Sequence, residues 1–303
     1  MNQKIAILMC CKNSKKFIEK QLISIKNQTY KNWKLYVSVD SSIDETFELI
    51  KEITKKINID CEISKGPNKG AAENFRFLTK KVKGYDYYSW CDHDDIWVET
   101  KIYNSIKKLN SVENNNKASL YMSGYKLIDE YDKIIGYPEQ KKILSFQNSL
   151  LENISPGHTF VFNNKAKELF NSCSSEMISH DWSMLQIVHG TSGNLINDEF
   201  FGSLYRQHNN NLIGYKRGKV DKIKKFYRSL SGEIKNYNYI NYNLLKNIKN
   251  ELTDKNREIL FILSDLKKKN LFKRVNVYLH YKFKRQIFYE NFGYIILLIL
   301  NKI

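Results

Sequence analysis

Short hydrophobic runs and longer amphipathic segments alternate along the first hundred residues. Four runs have the length and the β-branched and aromatic content of strands; they lie at 5–10, 35–39, 59–63 and 87–90. Between them, apolar residues recur at helical spacing; these segments lie at 17–26, 44–56 and 71–82. Strands that alternate with helices are typical of βαβ units. The pattern therefore predicts an α/β fold with a mostly parallel central sheet and flanking helices.

The pattern becomes less regular further along the chain. Strand-like runs lie at 119–123, 159–162, 194–196 and 201–205, and helical patterns lie at 165–170 and 181–189. From residue 216 onward strand signals are weak, and the sequence predicts Lys-rich amphipathic helices ending in an apolar run at 294–300. We therefore expect two units, a sheet domain at 1–215 and a basic helical C-terminal region at 216–303.

Polar residues are concentrated directly after the four predicted strands. These clusters lie at 12–14, 40–44, 66–70 and 92–95. Ligands of parallel α/β sheets bind beyond the carboxyl ends of the strands. Ser14 and Asp44 are of the types that cap helices, but a cap needs only one carboxylate, and 92–95 contains three. Carboxylates that are stacked at a strand end are typical of a site for a divalent cation.

Charge separates the two predicted units. The chain has 49 Lys and Arg against 32 Asp and Glu, a net charge of +17. Residues 216–303 carry 21 basic and 7 acidic residues, or +14, which leaves only +3 for residues 1–215. We expect any polyanionic partner to bind the C-terminal region.

Cysteine usage and hydropathy bear on location. The five cysteines are scattered without CxxC spacing, so neither a disulfide framework nor a zinc site is predicted. The first apolar run is too short for a signal peptide, and no run reaches the roughly 18 apolar residues of a membrane-spanning helix. We predict a reduced, cytoplasmic protein.

Five sequence blocks together resemble the family 2 glycosyltransferases of the GT-A fold, and in particular their rhamnosyltransferase-like members. The blocks are Lys12-Asn13, 40–46, 66–70 with Asn74-Phe75, 92–97, and His180-Asp181-Trp182 followed by 205–208. They occur in order over residues 5–210. The resemblance implies a Rossmann-like GT-A domain and an inverting enzyme that transfers a sugar from a nucleotide-diphosphate sugar, such as dTDP-rhamnose or a UDP-sugar.

The same resemblance implies roles for the acids that follow the strands. Asp92 and Asp94 match the family's DxD motif, so Asp94 would bind Mn²⁺ or Mg²⁺ and Asp92 would reach the ribose or the metal. Asp95 would be a helix N-cap or would support the other two. Asp40 matches the acid that faces the nucleotide base.

Four further residues complete the predicted site. Cys11 stands where the family commonly has Thr and is counted with the donor-binding residues. Lys69, in a turn that lacks a phosphate-loop motif, would lie near the donor. Asp181 is the predicted catalytic base, a role compatible with capping the following helix. His208 would be a further metal ligand or a surface residue.

The basic C-terminal region has two interpretations. Lysine clusters interleaved with Tyr, Phe, Leu and Ile favour docking on an anionic inner-membrane surface, which would place the enzyme peripherally on the cytoplasmic face beside a lipid-linked oligosaccharide acceptor in surface-glycan synthesis. Alternatively, the helices pack on the sheet domain and expose a solvated basic face. A nucleic-acid-binding protein and a non-catalytic scaffold are the competing functions. We expect no nucleic acid, because the sheet domain is nearly neutral and no nucleic-acid-binding motif is present.

Overall fold

The computed structural model describes residues 2–112, 116–208, 211 and 227–303. Its first part alternates strands and helices as predicted. In chain order these are β1 (Ile5–Cys11), α1 (Ile18–Lys26), β2 (Trp33–Val39), α2 (Thr46–Lys56), β3 (Cys61–Lys65), α3 (Ala71–Lys81), β4 (Tyr87–Asp92), β5 (Ile96–Trp97) and α4 (Lys101–Ser111). The predicted boundary between residues 215 and 216 lies outside the described residues.

In the second part, one continuous strand (β9, Asn194–Arg206) replaces the two that were expected at 194–196 and 201–205. The elements of this part are β6 (Ser119–Ile128), β7 (Ile134–Gly136), α5 (Phe146–Leu151), β8 (Phe160–Asn163), α6 (Asn164–Ser172), α7 (His180–Gly190) and β9. Polar Asn197 and Asp198 made β9 look interrupted. It is continuous because it pairs with β6 from Ser119↔Asn194 to Ile128↔Arg206, with register irregularities in the middle.

The strands form one sheet in the order β3-β2-β1-β4-β8-β6-β9-β5, and β7 pairs with β6. The first four strands of this order are parallel to one another. β8 is antiparallel to both β4 and β6, while β6 and β9 are parallel. The predicted mostly parallel α/β sheet is confirmed, and the carboxyl ends of β2, β1 and β4 lie side by side at one edge.

Alternating residues of the buried strands supply two cores, one on each face of the sheet. On β1, Ile5 and Ile7 face the core that α1, α2 and α4 cover. Ala6 and Leu8 face the opposite core, which α3, α6 and α7 cover. Because both faces of β1 are buried, its sequence is a continuous hydrophobic run.

In the part of the C-terminal region that the structure describes, four helices lie between residues 233 and 299. They are α8 (Glu233–Lys246), α9 (Asp254–Asp265), α10 (Leu271–His280) and α11 (Phe288–Ile299). Their apolar side chains, including Leu244, Leu260 and Leu298, join the core that α7 covers. Arg285 binds Glu152 at 3.4 Å and ties this region to the end of α5. Within the described ranges, none of the helices is long and apolar enough to cross a membrane.

Candidate active site

The site begins where β1, β2 and β4 end together. Cys11 is opposite Val39 on β2, and Cys10 is opposite Asp92 on β4, so the residues that follow these strands share one edge. The backbone N–H of Asp40 donates to the carbonyl of Cys11 over 2.9 Å. Asp40 and Asp92 therefore flank the end of β1, as the order of the parallel strands requires.

Asp40 lies in a pocket that its neighbours define closely. Its side chain is only 4% exposed, and Oδ1 accepts the backbone N–H of Asn68 at 3.0 Å. Gly66 passes so close that a Cβ there would lie 2.2 Å from the same oxygen. Behind it, the Ser38 hydroxyl donates to Asn74 Oδ1 over 2.5 Å. The carboxylate is thus held in one orientation by backbone and buried polar groups.

The two other donor-site candidates are placed differently. Lys69 is exposed on the loop between β3 and α3, beside the Asn68 that binds Asp40. The Cys11 side chain is buried in the core of α1, α2 and α4, and burial raises the pKa of its thiol. Only the backbone of Cys11 can therefore face a ligand at the sheet edge.

The acids after β4 form a crowded cluster. Asp94 Oδ2 lies 2.8 Å from Nε2 of His208, where the imidazole N–H can donate to the carboxylate. Burial and the neighbouring carboxylates of Asp94 and Asp181 raise the pKa of Asp92 to about 8. Burial also raises the pKa of Asp94, but His93 and His208 outweigh it and leave that pKa below its ordinary value. The structure thus brings together the predicted Asp92, Asp94 and His208.

As the side chains stand, the cluster is not a complete metal cage. No group of three or more His, Cys, Asp and Glu side chains is arranged to enclose an ion in the described part of the chain. The contact between Asp94 and His208 is a direct hydrogen-bonding one, so an ion bound by both would have to replace it. The donor set itself, hard carboxylate oxygens with one imidazole, suits Mn²⁺ or Mg²⁺.

Asp95 is not a helix N-cap, because α4 begins at Lys101 with Thr100 before it. Its side chain is fully buried instead, and Oδ1 accepts the backbone N–H of Arg206 at 3.0 Å. Burial and the two neighbouring acids raise the pKa of Asp95. The supporting role that was the other expectation for Asp95 agrees with this position.

Arg206 binds protein groups rather than facing outward toward a ligand. Its guanidinium is fully buried, donates through Nε to the Asp94 carbonyl at 2.8 Å, and donates to the Asp129 carbonyl at 3.0 Å. It also pairs with Asp132, which in turn binds Lys20 of α1. Arg206 therefore joins the Asp94 loop, the turn between β6 and β7, and the first helix.

Asp181 lies at the start of α7, one residue after its first. Its Oδ2 accepts the backbone N–H of Gly157 at 3.2 Å, and its Oδ1 accepts that of Trp182 at 2.8 Å. The preceding His180 stacks on Phe75 with ring centres 4.0 Å apart. A Cβ at Gly157 would lie 2.5 Å from the His180 ring. These contacts hold the carboxylate in place, and its charge contributes to the raised pKa of Asp92.

Three residues that sequence reasoning missed surround the acids. Lys101 is fully buried, and its Nζ donates to the carbonyl of His158 at 2.7 Å. Burial lowers the pKa of Lys101 to about 8 and that of His158 to about 3, so His158 is neutral. The Phe17 ring lies 5.1 Å from the His208 ring and 4.6 Å from the Arg206 guanidinium. No periodicity or motif distinguishes such residues from ordinary surface or core positions.

Comparison with known proteins identifies the family of this chain. Residues 6–169 match the profile of the family described as "Glycosyl transferase family 2". The chain therefore belongs to glycosyl transferase family 2, and it is a glycosyltransferase.

Two individual proteins that are similar to this chain are named as glycosyltransferases. The dTDP-rhamnosyl transferase RfbG of Shigella flexneri is 30% identical over 224 residues, which are 68% of this chain and 73% of that protein. The Escherichia coli WfgD, a UDP-Glc:alpha-D-GlcNAc-diphosphoundecaprenol beta-1,3-glucosyltransferase, is 27% identical over 205 residues, which are 67% of this chain and 76% of that protein.

A solved structure establishes the fold class. The mannosyltransferase PcManGT from Pyrobaculum calidifontis, in complex with GDP-Man and Mn²⁺, superposes with a TM-score of 0.56 at 11% identity. The superposition covers 100% of this chain and 86% of that one. At this identity the likeness concerns the fold alone, and it confirms the predicted GT-A architecture.

Proposed function

We propose that this protein is an inverting, metal-dependent glycosyltransferase of bacterial surface-glycan synthesis. It transfers a sugar from a nucleotide-diphosphate donor to a lipid-linked or polysaccharide acceptor. One observation carries the proposal: the strand order and α7 bring Asp40, the Asp92/Asp94 pair, His208 and Asp181 to one edge of the sheet. These residues come from both ends of the sheet domain, and in this proposal Asp181 serves the acceptor while the acid cluster serves the donor.

Mn²⁺ or Mg²⁺ fits the residues at this edge. Asp94 and His208 would hold the ion, and Asp92 would complete its ligands or bind the donor's ribose. When bound, the ion would act as a Lewis acid that neutralises the charge of the departing diphosphate. Arg206 keeps the Asp94 backbone in place, and Phe17 packs against the His208 ring.

Asp181 is the proposed general base. Its two backbone hydrogen bonds, from Gly157 and Trp182, restrain the carboxylate without neutralising its charge. A carboxylate in this position can accept the acceptor hydroxyl's proton as the new glycosidic bond forms. Attack from the face opposite the leaving group gives inversion. Asp40, held by Asn68, would accept an N–H from a pyrimidine base, and Lys69 would lie near the donor.

The relatives narrow the substrate class. RfbG is named as a dTDP-rhamnosyl transferase, and WfgD is named for UDP-Glc and a diphosphoundecaprenol-linked acceptor. We therefore propose dTDP-rhamnose or a UDP-sugar as donor and a lipid-linked oligosaccharide as acceptor. Thymine and uracil, the bases of these donors, both have an imide N–H that can donate a hydrogen bond to a carboxylate such as that of Asp40.

Donor turnover tests the reaction directly. The purified protein is incubated with dTDP-rhamnose and a panel of UDP-sugars, with Mn²⁺ or with EDTA, and released nucleoside diphosphate is measured. We expect slow release from one donor that EDTA abolishes and Mn²⁺ restores. Equal release with EDTA would overturn metal dependence. Donor binding without any turnover, with or without acceptor, would instead support the non-catalytic scaffold.

We also propose that the C-terminal region binds the cytoplasmic face of the membrane peripherally. Large apolar side chains are exposed on α9, α10 and α11, among them Phe261 (65%), Phe272 (85%), Phe288 (76%) and Phe292 (56%). The region that carries them, residues 216–303, has 21 Lys and Arg against 7 Asp and Glu. Such a combination favours the headgroup boundary of an anionic bilayer, with aromatic groups inserted and lysines facing lipid phosphate.

Vesicle sedimentation tests this surface. We expect binding to phosphatidylglycerol vesicles that weakens with salt, and no binding to phosphatidylcholine vesicles. Phe288→Ser with Phe292→Ser should weaken it, whereas Tyr103→Ser, a 42% exposed aromatic on α4, should not. Equal binding to both vesicle types would refute the electrostatic part of the proposal. Binding to nucleic acid in place of anionic vesicles would favour the competing nucleic-acid-binding function.

A further inference from the structure

A buried turn connects Asp181 to the interior of the sheet domain. It is a 3₁₀ turn at Gly157–Thr159, directly before β8. Connecting segments ordinarily run over the protein surface, yet His158 and Thr159 are fully buried. The backbone N–H of Gly157 donates to Asp181 Oδ2 at 3.2 Å. Groups that hold this turn therefore also hold the proposed base.

Lys101 binds the turn from the side of α4. Its side chain is fully buried, and Nζ donates to the carbonyl of His158 at 2.7 Å. The same Nζ lies 4.7 Å from the centre of the Trp97 ring. Burying an ammonium group is costly unless other groups compensate it. The nearby carboxylates of Asp95 and Asp92 favour its charged form, so Lys101 is a cation anchored between the acid cluster and the turn.

The His158 side chain ties the middle of the turn to the acid loop and to β9. Its Nδ1 lies 3.3 Å from Asp95 Oδ2 and 3.0 Å from the hydroxyl oxygen of Ser203. The ring centres of Tyr205 and Tyr125 lie 4.8 and 5.5 Å from that of His158. The imidazole is therefore fixed against Asp95, whose preceding residue is the proposed metal ligand.

On its other side the turn packs directly against the start of α7. A Cβ at Gly157 would lie 2.5 Å from Nε2 of His180 and 3.4 Å from the Cβ of Asp181. His180 itself stacks on Phe75 of α3 with ring centres 4.0 Å apart. Close-packed interiors transmit displacements. A shift of the His158 carbonyl would therefore move the Gly157 N–H and, with it, the carboxylate of Asp181.

We propose that Lys101 and His158 are positioning residues that hold Asp181 at its working distance from the acid cluster. Lys101 fixes the turn through a backbone carbonyl, and His158 fixes it through Asp95. The Gly157 N–H then passes the constraint to the Asp181 carboxylate. Neither positioning side chain touches substrate in this assignment. The inference deepens the proposed function and rests on it, because it requires Asp181 to be the base.

Amide hydrogen exchange of the full chain, followed by NMR at the Gly157 N–H, tests the turn without relying on activity. Lys101→Met keeps the length of the side chain and removes the ammonium. Lys167→Met is the matched control, because Lys167 is also buried and its Nζ lies 4.6 Å from the centre of the Tyr88 ring, on α6. His158→Leu removes both ring nitrogens, and His158→Asn restores a side-chain N–H donor.

The exchange rate of Gly157 is divided by that of Leu8, which lies in the buried strand β1 and reports global unfolding. We expect this ratio to rise by about tenfold or more in Lys101→Met and in His158→Leu, because the turn loses a buried hydrogen bond. Lys167→Met should leave the ratio unchanged, and His158→Asn should reverse part of the rise. An unchanged ratio in Lys101→Met and His158→Leu would overturn the positioning role, and His158→Leu decides alone if Lys101→Met does not fold.

Turnover separates this role from the proposed function. At saturating donor and Mn²⁺, Lys101→Met should lower kcat by about tenfold or more and leave the donor KM within about twofold. In an Asp181→Asn background the same change should have little further effect, because it acts through Asp181. A wild-type kcat in Lys101→Met, or a full additive loss in the double variant, would overturn the inference alone. Full turnover in Asp181→Asn, or none in the wild-type protein, would instead overturn the proposed function, which the exchange ratio does not measure.

Discussion

Gly66→Ala tests whether the geometry around Asp40 controls donor binding. A Cβ at residue 66 would lie 2.2 Å from Asp40 Oδ1 and 2.8 Å from Asn74 Oδ1. Ordinary carbon–oxygen contacts begin near about 3.4 Å, so the carboxylate has to move by roughly 1 Å. Its hydrogen bond from the Asn68 N–H, 3.0 Å long, cannot survive such a shift.

The size of the effect follows from the hydrogen bond that Asp40 would accept from the donor's base. A hydrogen bond to a charged group contributes about 1.5–3 kcal/mol. If Asp40 binds the base, losing this bond weakens donor binding roughly 10- to 100-fold. Because the acid cluster lies beyond β4 and is not in contact with Gly66, turnover at saturating donor should stay near wild type. We expect a higher KM with a nearly unchanged kcat.

A double-mutant cycle identifies the cause. If Gly66→Ala acts by displacing the carboxylate, it should have little further effect on donor affinity in an Asp40→Ala background. Gly293→Ala, where a Cβ meets nothing within 4 Å, controls for the substitution itself. Wild-type donor affinity in Gly66→Ala, measured by calorimetry with UDP and dTDP, would refute the reasoning. So would a full additive loss in the double variant.

Four further predictions concern Asp94, Asp181, the buried Arg206 and the buried His189. Asp94→Ala should abolish Mn²⁺-dependent nucleotide binding, and metal-stimulated binding in that variant would exclude Asp94 as a ligand. Asp181→Asn should keep donor affinity but lower turnover by about 100-fold or more; a lost affinity with an unchanged kcat would reassign it to binding. Arg206→Lys should lower the thermal midpoint by several degrees, because lysine cannot replace buried hydrogen bonds that are worth about 1 kcal/mol or more each; an unchanged midpoint would contradict this. Burial lowers the pKa of His189 to about 4, so the unfolded chain takes up a proton below about pH 6.5 that the native state does not. The native state therefore loses stability as pH falls from about 6.5 toward 4, and His189→Gln should reduce that loss by about 1 kcal/mol per pH unit in urea unfolding; parallel pH profiles would count against it.

Local pattern was sufficient for the order of elements in the first part of the chain. Strand runs and helical spacing are set by neighbours in sequence, and the helices α1 to α3 begin and end within a few residues of their predicted bounds. The polar residues after β1 and the acids after β2 and β4 could be placed together because parallel strands align their carboxyl ends. The polar interruption in β9 misled the prediction, since its continuity depends on pairing with β6.

The contacts that shape the site needed the tertiary structure. Asp94 and His208 are 114 residues apart, and whether they touch depends on how β9 returns beside β5 and β6. Lys101 reads as an ordinary helix lysine, yet packing of α4 buries it below the acids.

The sequence by itself therefore determined the alternation of elements, the parallel edge and the types of chemical group available there. The fold decided that Asp94 contacts His208, that Arg206 donates its hydrogen bonds to backbone carbonyls, and that Oδ1 of Asp40 lies against Gly66. The physical reason is range: periodicity is local along the chain, whereas burial, hydrogen-bond partners and pKa shifts arise from residues far apart in sequence.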